Sequence, residues 1–154
     1  MDVIAKYLIL EVLLMSLEIS SLKRGIASLE RAINVVIAKQ SDNKTSIDEM
    51  ETIKAGVIQN FEFTYELCWK FMKRWIEENI NSEIIDGVTR RELFRVSAEN
   101  KLILDVTKWM DFHKARNSTS HIYDEKIADE VFAASVLFLP YAKDFLARLE
   151  ERND

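Results

Sequence analysis

The sequence has few of the residues that break helices and make tight turns. Three glycines and one proline occur among 154 residues. Because glycine and proline mark most turns, this scarcity argues against a many-turned β-sandwich or β-barrel and favours long helices. No segment shows the alternation of period two that is typical of a half-buried strand.

Cysteine is also nearly absent. Cys68 is the single thiol, so one chain can form neither an internal disulfide nor a thiolate metal cluster. Residues 1–15 are apolar, but Asp2, Lys6 and Glu11 interrupt them, and the longest apolar run is too short to span a bilayer. The same segment lacks the basic start and the cleavage site of a signal peptide. We therefore expect a cytoplasmic protein that does not enter membranes.

An excess of positive charge is missing as well. The net charge is −5, which argues against a basic coat for duplex DNA. Residues 90–121 are the exception, because they hold seven Lys or Arg, four Asp or Glu, and both histidines. The rest of the chain carries a net −8. This middle region is the one place where an anion such as RNA could bind.

Apolar residues recur at steps of three and four along the N-terminal 40 residues, as in a heptad seam. This spacing predicts one long helix, with Gly25 as a weak point. The seam is typical of an ordinary bundle helix, and a coiled-coil or dimer role is the alternative. Because Met15 could be a natural start, we treat 1–15 as a helical extension and 16–151 as the bundle domain. The seam comprises Leu8, Val12, Met15, Ile19, Leu22, Ile26, Leu29, Ile33 and Val36.

Capping signals divide the remainder of the chain into helices. Ser46 and Thr89, each followed by glutamate three residues later, have the spacing of a capping box. They predict helices over 47–79 and from 90 to about 100, joined by a connector over 79–88. Asp105 is expected to cap a fourth helix that runs through the region of residues 106–123. Asp124 is expected to cap a last helix over 125–151, in which Pro140 should cause a kink.

These elements predict an all-α fold, an antiparallel up-down bundle of four or five helices. The large aromatic residues of the second and fourth helices, together with Cys68, are expected to be core rather than a surface for stacking bases. They are Tyr65, Trp69, Phe71, Trp75 and Trp109.

The fourth helix holds the clearest functional signal. On a helical wheel its core-facing arc begins apolar and becomes polar, which costs free energy unless the polar groups are paired or line a cleft. The arc contains Trp109, Met110, His113, Arg116, Asn117, Ser120 and His121. Arginine offers a planar cation that matches phosphate, and histidine exchanges a proton near neutral pH.

This pair of residue types suits metal-independent attack by an RNA 2′-hydroxyl on its own phosphodiester. Arg116 would stabilise the charged phosphorus centre, and His121 would act as base or acid. The second proton-transfer group would be His113, or His121 of a second copy across a two-fold axis. A surface histidine beside a helix-terminal arginine, with no catalytic role, is the alternative interpretation.

Other chemistries are poorly supported by the sequence. A zinc site built from His113, His121 and Cys68 would need a further ligand. Serines near His121 are too close in sequence to form a catalytic triad with it. No glycine-rich phosphate loop and no carboxylate pattern for catalytic magnesium are evident. We therefore expect no intrinsic cofactor and no metal site.

Two stretches resemble a known family. The run Arg116-x4-His121-x-Tyr123 is similar to the R-x4-H-x-Y signature of the HEPN superfamily. Its extension through Asn117, Ser120 and Asp124 resembles the nucleotidyltransferase substrate-binding branch, as does the stretch 60–70, Asn-Phe-Glu-Phe-Thr-Tyr-Glu-Leu-Cys-Trp-Lys. The resemblance covers roughly residues 17–149.

The resemblance implies a helical bundle that forms a two-fold dimer with the motif near the dimer cleft. It implies a partner, a separately encoded minimal nucleotidyltransferase, which would supply ATP or another nucleotide and magnesium. It also implies that related toxins are ribonucleases silenced by AMP transfer to the motif tyrosine, here Tyr123. Asn117 and Ser120 would then be polar support, and Glu62 and Glu66 would pair with Arg116 across the helices.

Overall fold

The computed structural model describes residues 2–152, except for the side chains of 11–18. These residues form six α-helices: α1 (Val3–Gln40), α2 (Ile47–Asn79), α3 (Ser82–Ile85), α4 (Arg90–Glu99), α5 (Val106–Ser118) and α6 (Glu125–Glu151). A 3-10 turn, Thr119–His121, lies between α5 and α6. No strand occurs in the described part of the chain, so the all-α prediction is confirmed. The additional helix is α3, a single turn inside the expected connector.

The predicted helix starts are confirmed by their caps. In each case the side-chain oxygen of the cap accepts a hydrogen bond from a backbone N–H two or three residues later, which satisfies an otherwise unpaired donor. The pairs are Ser46–Glu49 (3.1 Å), Thr89–Glu92 (3.2 Å), Asp105–Lys108 (3.0 Å) and Asp124–Lys126 (2.9 Å).

Helix α1 is buried along only part of its seam. From Leu22 to Val36 the seam residues are at most 5% exposed and pack in the core of their own chain, as in a bundle helix. Leu8, on the same seam, is 57% exposed. Val12 and Met15 lie outside the described side chains. The segment 3–10 is therefore helical but contributes little to the core.

Aromatic rings fill the centre of the bundle. Phe138 of α6 makes edge contacts with Phe61 of α2 and with Trp109 and Phe112 of α5, at ring-centroid distances of 5.0–5.5 Å. Four of the five predicted core aromatic residues are less than 10% exposed. The fifth, Trp69, is half-buried and lies under the guanidinium of Arg90, 3.5 Å from its ring centre.

Helices α1 and α2 approach closely at Gly25. A Cβ placed there would lie 3.1 Å from Cδ1 of Leu67 and 3.4 Å from Oγ1 of Thr64. The Thr64 hydroxyl donates a hydrogen bond to the carbonyl of Gly25 (3.1 Å), and Thr64 is fully buried. The glycine that the sequence indicates as a weak point is thus the residue that allows the two helices to touch.

None of the helices in the described residues has the length and apolar character that crossing a bilayer requires.

The extent of the fourth helix was predicted wrongly. It was expected to run through residues 106–123, but α5 ends at Ser118 and the chain tightens into the 3-10 turn. The Thr119 hydroxyl donates to the carbonyl of Arg116 (2.7 Å), and the Ser118 hydroxyl donates to that of Lys114 (3.0 Å). Such side-chain to backbone bonds compete with the regular helical pattern, which explains the early end.

Candidate functional site

The candidate site lies where the end of α5 and the 3-10 turn meet the middle of α2. Three groups of contacts build it, one around Arg116, one around His113, and one between His121 and Tyr123.

Arg116 is held by two carboxylates of α2. Its Nε lies 3.2 Å from Oε1 of Glu66, and its Nη1 lies 4.0 Å from Oε2 of Glu62. The Nε–H is not aligned with an acceptor, so the contact with Glu66 is an ion pair rather than a hydrogen bond. All three side chains are 31–34% exposed. The pairing expected across the helices is therefore present, and in this chain the cation of Arg116 is already countered.

Thr119 fixes the other end of the guanidinium. Nη1 of Arg116 donates to Oγ1 of Thr119 (3.1 Å), while the same hydroxyl donates to the Arg116 carbonyl (2.7 Å). The 3-10 turn thus contributes directly to the position of the arginine.

His113 lies one turn earlier on α5 and contacts different residues. Its Nδ1 is 2.7 Å from the hydroxyl of Tyr65, and its Nε2 is 3.4 Å from Nδ2 of Asn117. A neutral ring satisfies both contacts when Nδ1–H donates to Tyr65 and Nε2 accepts from Asn117.

The protonation states of this pair follow from burial. Burial raises the pKa of the Tyr65 hydroxyl well above its usual value, so the phenol stays protonated at neutral pH. Burial, followed by the nearby Arg90 cation, lowers the pKa of His113, with Glu66 opposing the shift. His113 is therefore a neutral hydrogen-bonding residue at neutral pH.

His121 and Tyr123 form an exposed pair. The Nδ1 atom of His121 lies 3.4 Å from the Tyr123 hydroxyl, with the rings nearly perpendicular at 76°. Tyr123 is 83% exposed. An imidazole nitrogen thus lies beside a phenol that a large reagent can reach.

The structure brings some predicted site residues together and keeps others apart. Among the described residues, no hydrogen bond, ion pair or ring contact joins Arg116 directly to His121. Ser120 and His121 fall on the 3-10 turn, so they do not continue the predicted helical arc. The Ser120 hydroxyl donates to the Asn117 carbonyl (3.3 Å), a local role in the turn.

Sequence reasoning missed the contacts of Thr119 with Arg116 and of Tyr65 with His113, and two more around Trp69. Glu66 accepts a hydrogen bond from Nε1 of Trp69 (2.8 Å) as well as pairing with Arg116. Trp69 in turn stacks on Arg90. The spacing of three between Glu66 and Trp69 is a helical neighbour signal, but the Arg90 contact depends on how α4 packs and leaves no trace in local sequence.

Cys68 is buried at the centre of α2, and burial raises the pKa of its thiol. Among the described side chains, no three His, Cys, Asp or Glu are grouped so that they could hold a metal ion. This arrangement can support proton transfer between His121 and Tyr123. Arg116 can bind an anion only if Glu62 and Glu66 move away from it.

Known proteins resemble this chain over most of its length. Residues 17–151 match the family model "Nucleotidyltransferase substrate binding protein like". A Haemophilus influenzae protein named "Probable ribonuclease HepT" is 36% identical over 140 residues, which covers 89% of this chain and 94% of that protein.

Solved structures show the same bundle. A Haemophilus influenzae structure, said to reveal the fold of a substrate-binding domain of a nucleotidyltransferase, superposes with a TM-score of 0.81 and 32% identity, covering 86% of this chain and 98% of that one. A Thermus thermophilus structure shares the fold alone, with a TM-score of 0.57, 23% identity and coverage of 79% and 98%. The chain therefore belongs to the nucleotidyltransferase substrate-binding protein family of HEPN-type helical bundles.

Proposed function

We propose that this chain is a HEPN-type subunit that pairs with a separately encoded minimal nucleotidyltransferase. It presents a bound substrate or its own residues 116–123 to that partner, in a two-gene system of the toxin–antitoxin kind. Membership of the family and a relative's description as a substrate-binding domain of a nucleotidyltransferase support this proposal. The proposed setting is the cytoplasm.

The observation that carries the proposal is the exposed pair His121–Tyr123. Its phenol is 83% exposed and lies 3.4 Å from an imidazole nitrogen. In nucleotide transfer, the Tyr123 oxygen bonds to the α-phosphorus of ATP, the bond to pyrophosphate breaks, and the phenol proton passes to His121 Nδ1. ATP and the magnesium that neutralises pyrophosphate belong to the partner.

Co-purification with a minimal nucleotidyltransferase from the same genome tests the pairing. The two proteins should elute as one complex from size-exclusion chromatography. Incubation with ATP and magnesium should then add AMP to the chain, as read by intact-mass and peptide mass spectrometry. Separate elution of the two proteins rejects the pairing.

The modified residue is tested by Tyr123→Phe, which should abolish labelling. Tyr7→Phe is the matched control, because Tyr7 is also largely exposed, at 62%, but lies in the N-terminal extension. Labelling that survives Tyr123→Phe rejects Tyr123 as the target.

A second candidate function is a metal-independent endoribonuclease, favoured by the relative that is named a probable ribonuclease. In this reaction the RNA 2′-oxygen bonds to phosphorus, His121 takes its proton, and the bond to the 5′-oxygen breaks. The departing oxygen receives a proton, and a 2′,3′-cyclic phosphate remains. Arg116 stabilises the charge on phosphorus.

The ribonuclease hypothesis also supports a two-fold dimer. Arg116 and His121 make no direct contact within the described part of one chain, and both ring nitrogens of His113 are occupied by neighbours. A second proton-transfer group therefore comes most simply from His121 of a second copy, since a two-fold interface brings identical patches together.

Incubation of the purified chain with RNA in EDTA tests this candidate. Cleavage should fall by about 10²-fold or more in His121→Ala, and it should also fall in Arg116→Ala. Arg91→Ala is the control, because Arg91 is exposed and lies on α4 rather than on α5 or the 3-10 turn. RNA that stays intact with the wild-type chain rejects the activity.

A further inference from the structure

A groove runs between the first half of α2 and the first two turns of α6, and Ile122 and Tyr123, which follow the 3-10 turn, also line it. Its volume is about 570 Å³. Ile58, which is 4% exposed, and the half-buried Ile122 and Phe132 form apolar parts of its lining. A groove with an apolar floor is a typical docking place for a side chain of a binding partner.

The rim of the groove is acidic. The carboxylates of Glu51, Glu125 and Asp129 line it, and all three residues are exposed. Among the described residues, Lys54 is the one cation in the lining. Its ammonium lies over the Phe132 ring, 5.1 Å from the centroid, in a cation–π contact. The groove therefore has a net negative charge, which repels nucleic acid and free nucleotides and favours a cationic occupant.

Tyr123 connects this groove to the candidate site. It lines the groove, while its hydroxyl lies 3.4 Å from His121 Nδ1. A protein segment seated in the groove would therefore lie against the phenol that the proposed function assigns as nucleotide acceptor. A small free cation would explain the acidic rim but not the apolar floor.

We propose that this groove is the docking surface for a segment of the nucleotidyltransferase that carries a lysine or arginine next to an apolar side chain. The inference rests on the proposed function and adds where the partner is bound and by what chemistry. Docking here holds the partner's active site over Tyr123.

The test is a binding titration with a minimal nucleotidyltransferase from the same genome, purified separately. The double variant Glu51→Lys/Asp129→Lys reverses the rim charge and should weaken binding about tenfold or more. Ala55→Trp fills the groove without changing its charge, since Ala55 is exposed and lines it, and should weaken binding as well.

The matched control is Glu83→Lys/Asp86→Lys. It makes the same charge change at exposed residues that follow the far end of α2. It should bind as the wild type does, and circular dichroism should show all variants equally helical.

The outcomes separate the inference from the function on which it rests. If the wild-type chain binds and the groove variants bind equally well, the docking surface is wrong and the pairing stands. If both charge-reversal variants weaken binding alike, the effect is one of net charge and the groove is rejected. If the wild-type chain does not bind, the pairing and the groove fail together.

Discussion

Among single residues, Arg116 shows most clearly how neighbours set the available chemistry. The sequence offers a guanidinium suited to phosphate, but Glu62 and Glu66 stand beside it. A phosphate would have to compete with two carboxylates, or the carboxylates would have to move when a second chain or a partner binds. In the isolated chain, Arg116 is therefore paired with carboxylates and is not free to bind an anion.

His113 provides a prediction about pH. Its pKa in the folded chain is lowered, so the unfolded chain, with a histidine pKa of about 6.5, binds more protons below that pH. The free energy of unfolding should therefore fall as pH drops from about 7.5 to 5.5. Urea unfolding at three pH values measures this.

His113→Gln keeps a hydrogen-bonding side chain but cannot titrate, so its unfolding free energy should depend less on pH over the same range. Equal pH dependence in the variant and the wild type would show that His113 is not responsible.

At the level of elements, the close contact between α1 and α2 at Gly25 makes the stability of the bundle sensitive to the size of the side chain at that position. Gly25→Val should lower the free energy of unfolding by about 1–3 kcal/mol, because its side chain meets Leu67 and Thr64. Chemical denaturation with helicity as the signal gives the value.

Gly56 is the matched control, a helical glycine with nothing within 4 Å of an added Cβ. Gly56→Ala should raise stability by about 0.5–1 kcal/mol through helix propensity. A Gly25→Val chain as stable as the wild type would mean that the helices can separate at no cost.

Local hydrogen bonds within this element explain why the end of α5 was predicted wrongly. Polar periodicity continues through Ser120 and His121 in the sequence, which favours an unbroken helix. The hydroxyls of Ser118 and Thr119 instead donate hydrogen bonds to backbone carbonyls. The Thr119 hydroxyl also accepts a hydrogen bond from Nη1 of Arg116. Helix signals read from periodicity do not register this competition.

For the whole molecule, the main question is how much of α1 the bundle needs. The large apolar residues over 3–10 are 48–80% exposed, in contrast to the buried seam from Leu22 onward. Removing residues 2–10 should therefore change the thermal midpoint by no more than about 2 °C, the lower end of the about 2–4 °C that loss of 1 kcal/mol causes in a domain of this size.

Light scattering on the shortened chain should also show less self-association than on the full chain, because an exposed apolar surface of this kind promotes association. A drop in the thermal midpoint of many degrees would show that the segment belongs to the core and that the predicted division at residue 15 is wrong.

The sequence by itself determined five of the six helices, apart from the end of α5, and most of the core. Scarce breakers, period-3.6 spacing and four capping residues are local signals, and local hydrogen bonds and side-chain burial follow them directly. The motif residues were equally visible, because Arg116, His121 and Tyr123 stand close together in the chain.

Only the tertiary structure decided what those residues touch. That α2 sets Glu66 against Arg116, that Arg90 covers Trp69, and that Tyr123 borders an acidic groove all depend on contacts between helices far apart in sequence. Such contacts are fixed by how whole helices pack, and the free energy of packing is shared over many side chains rather than written at any single position.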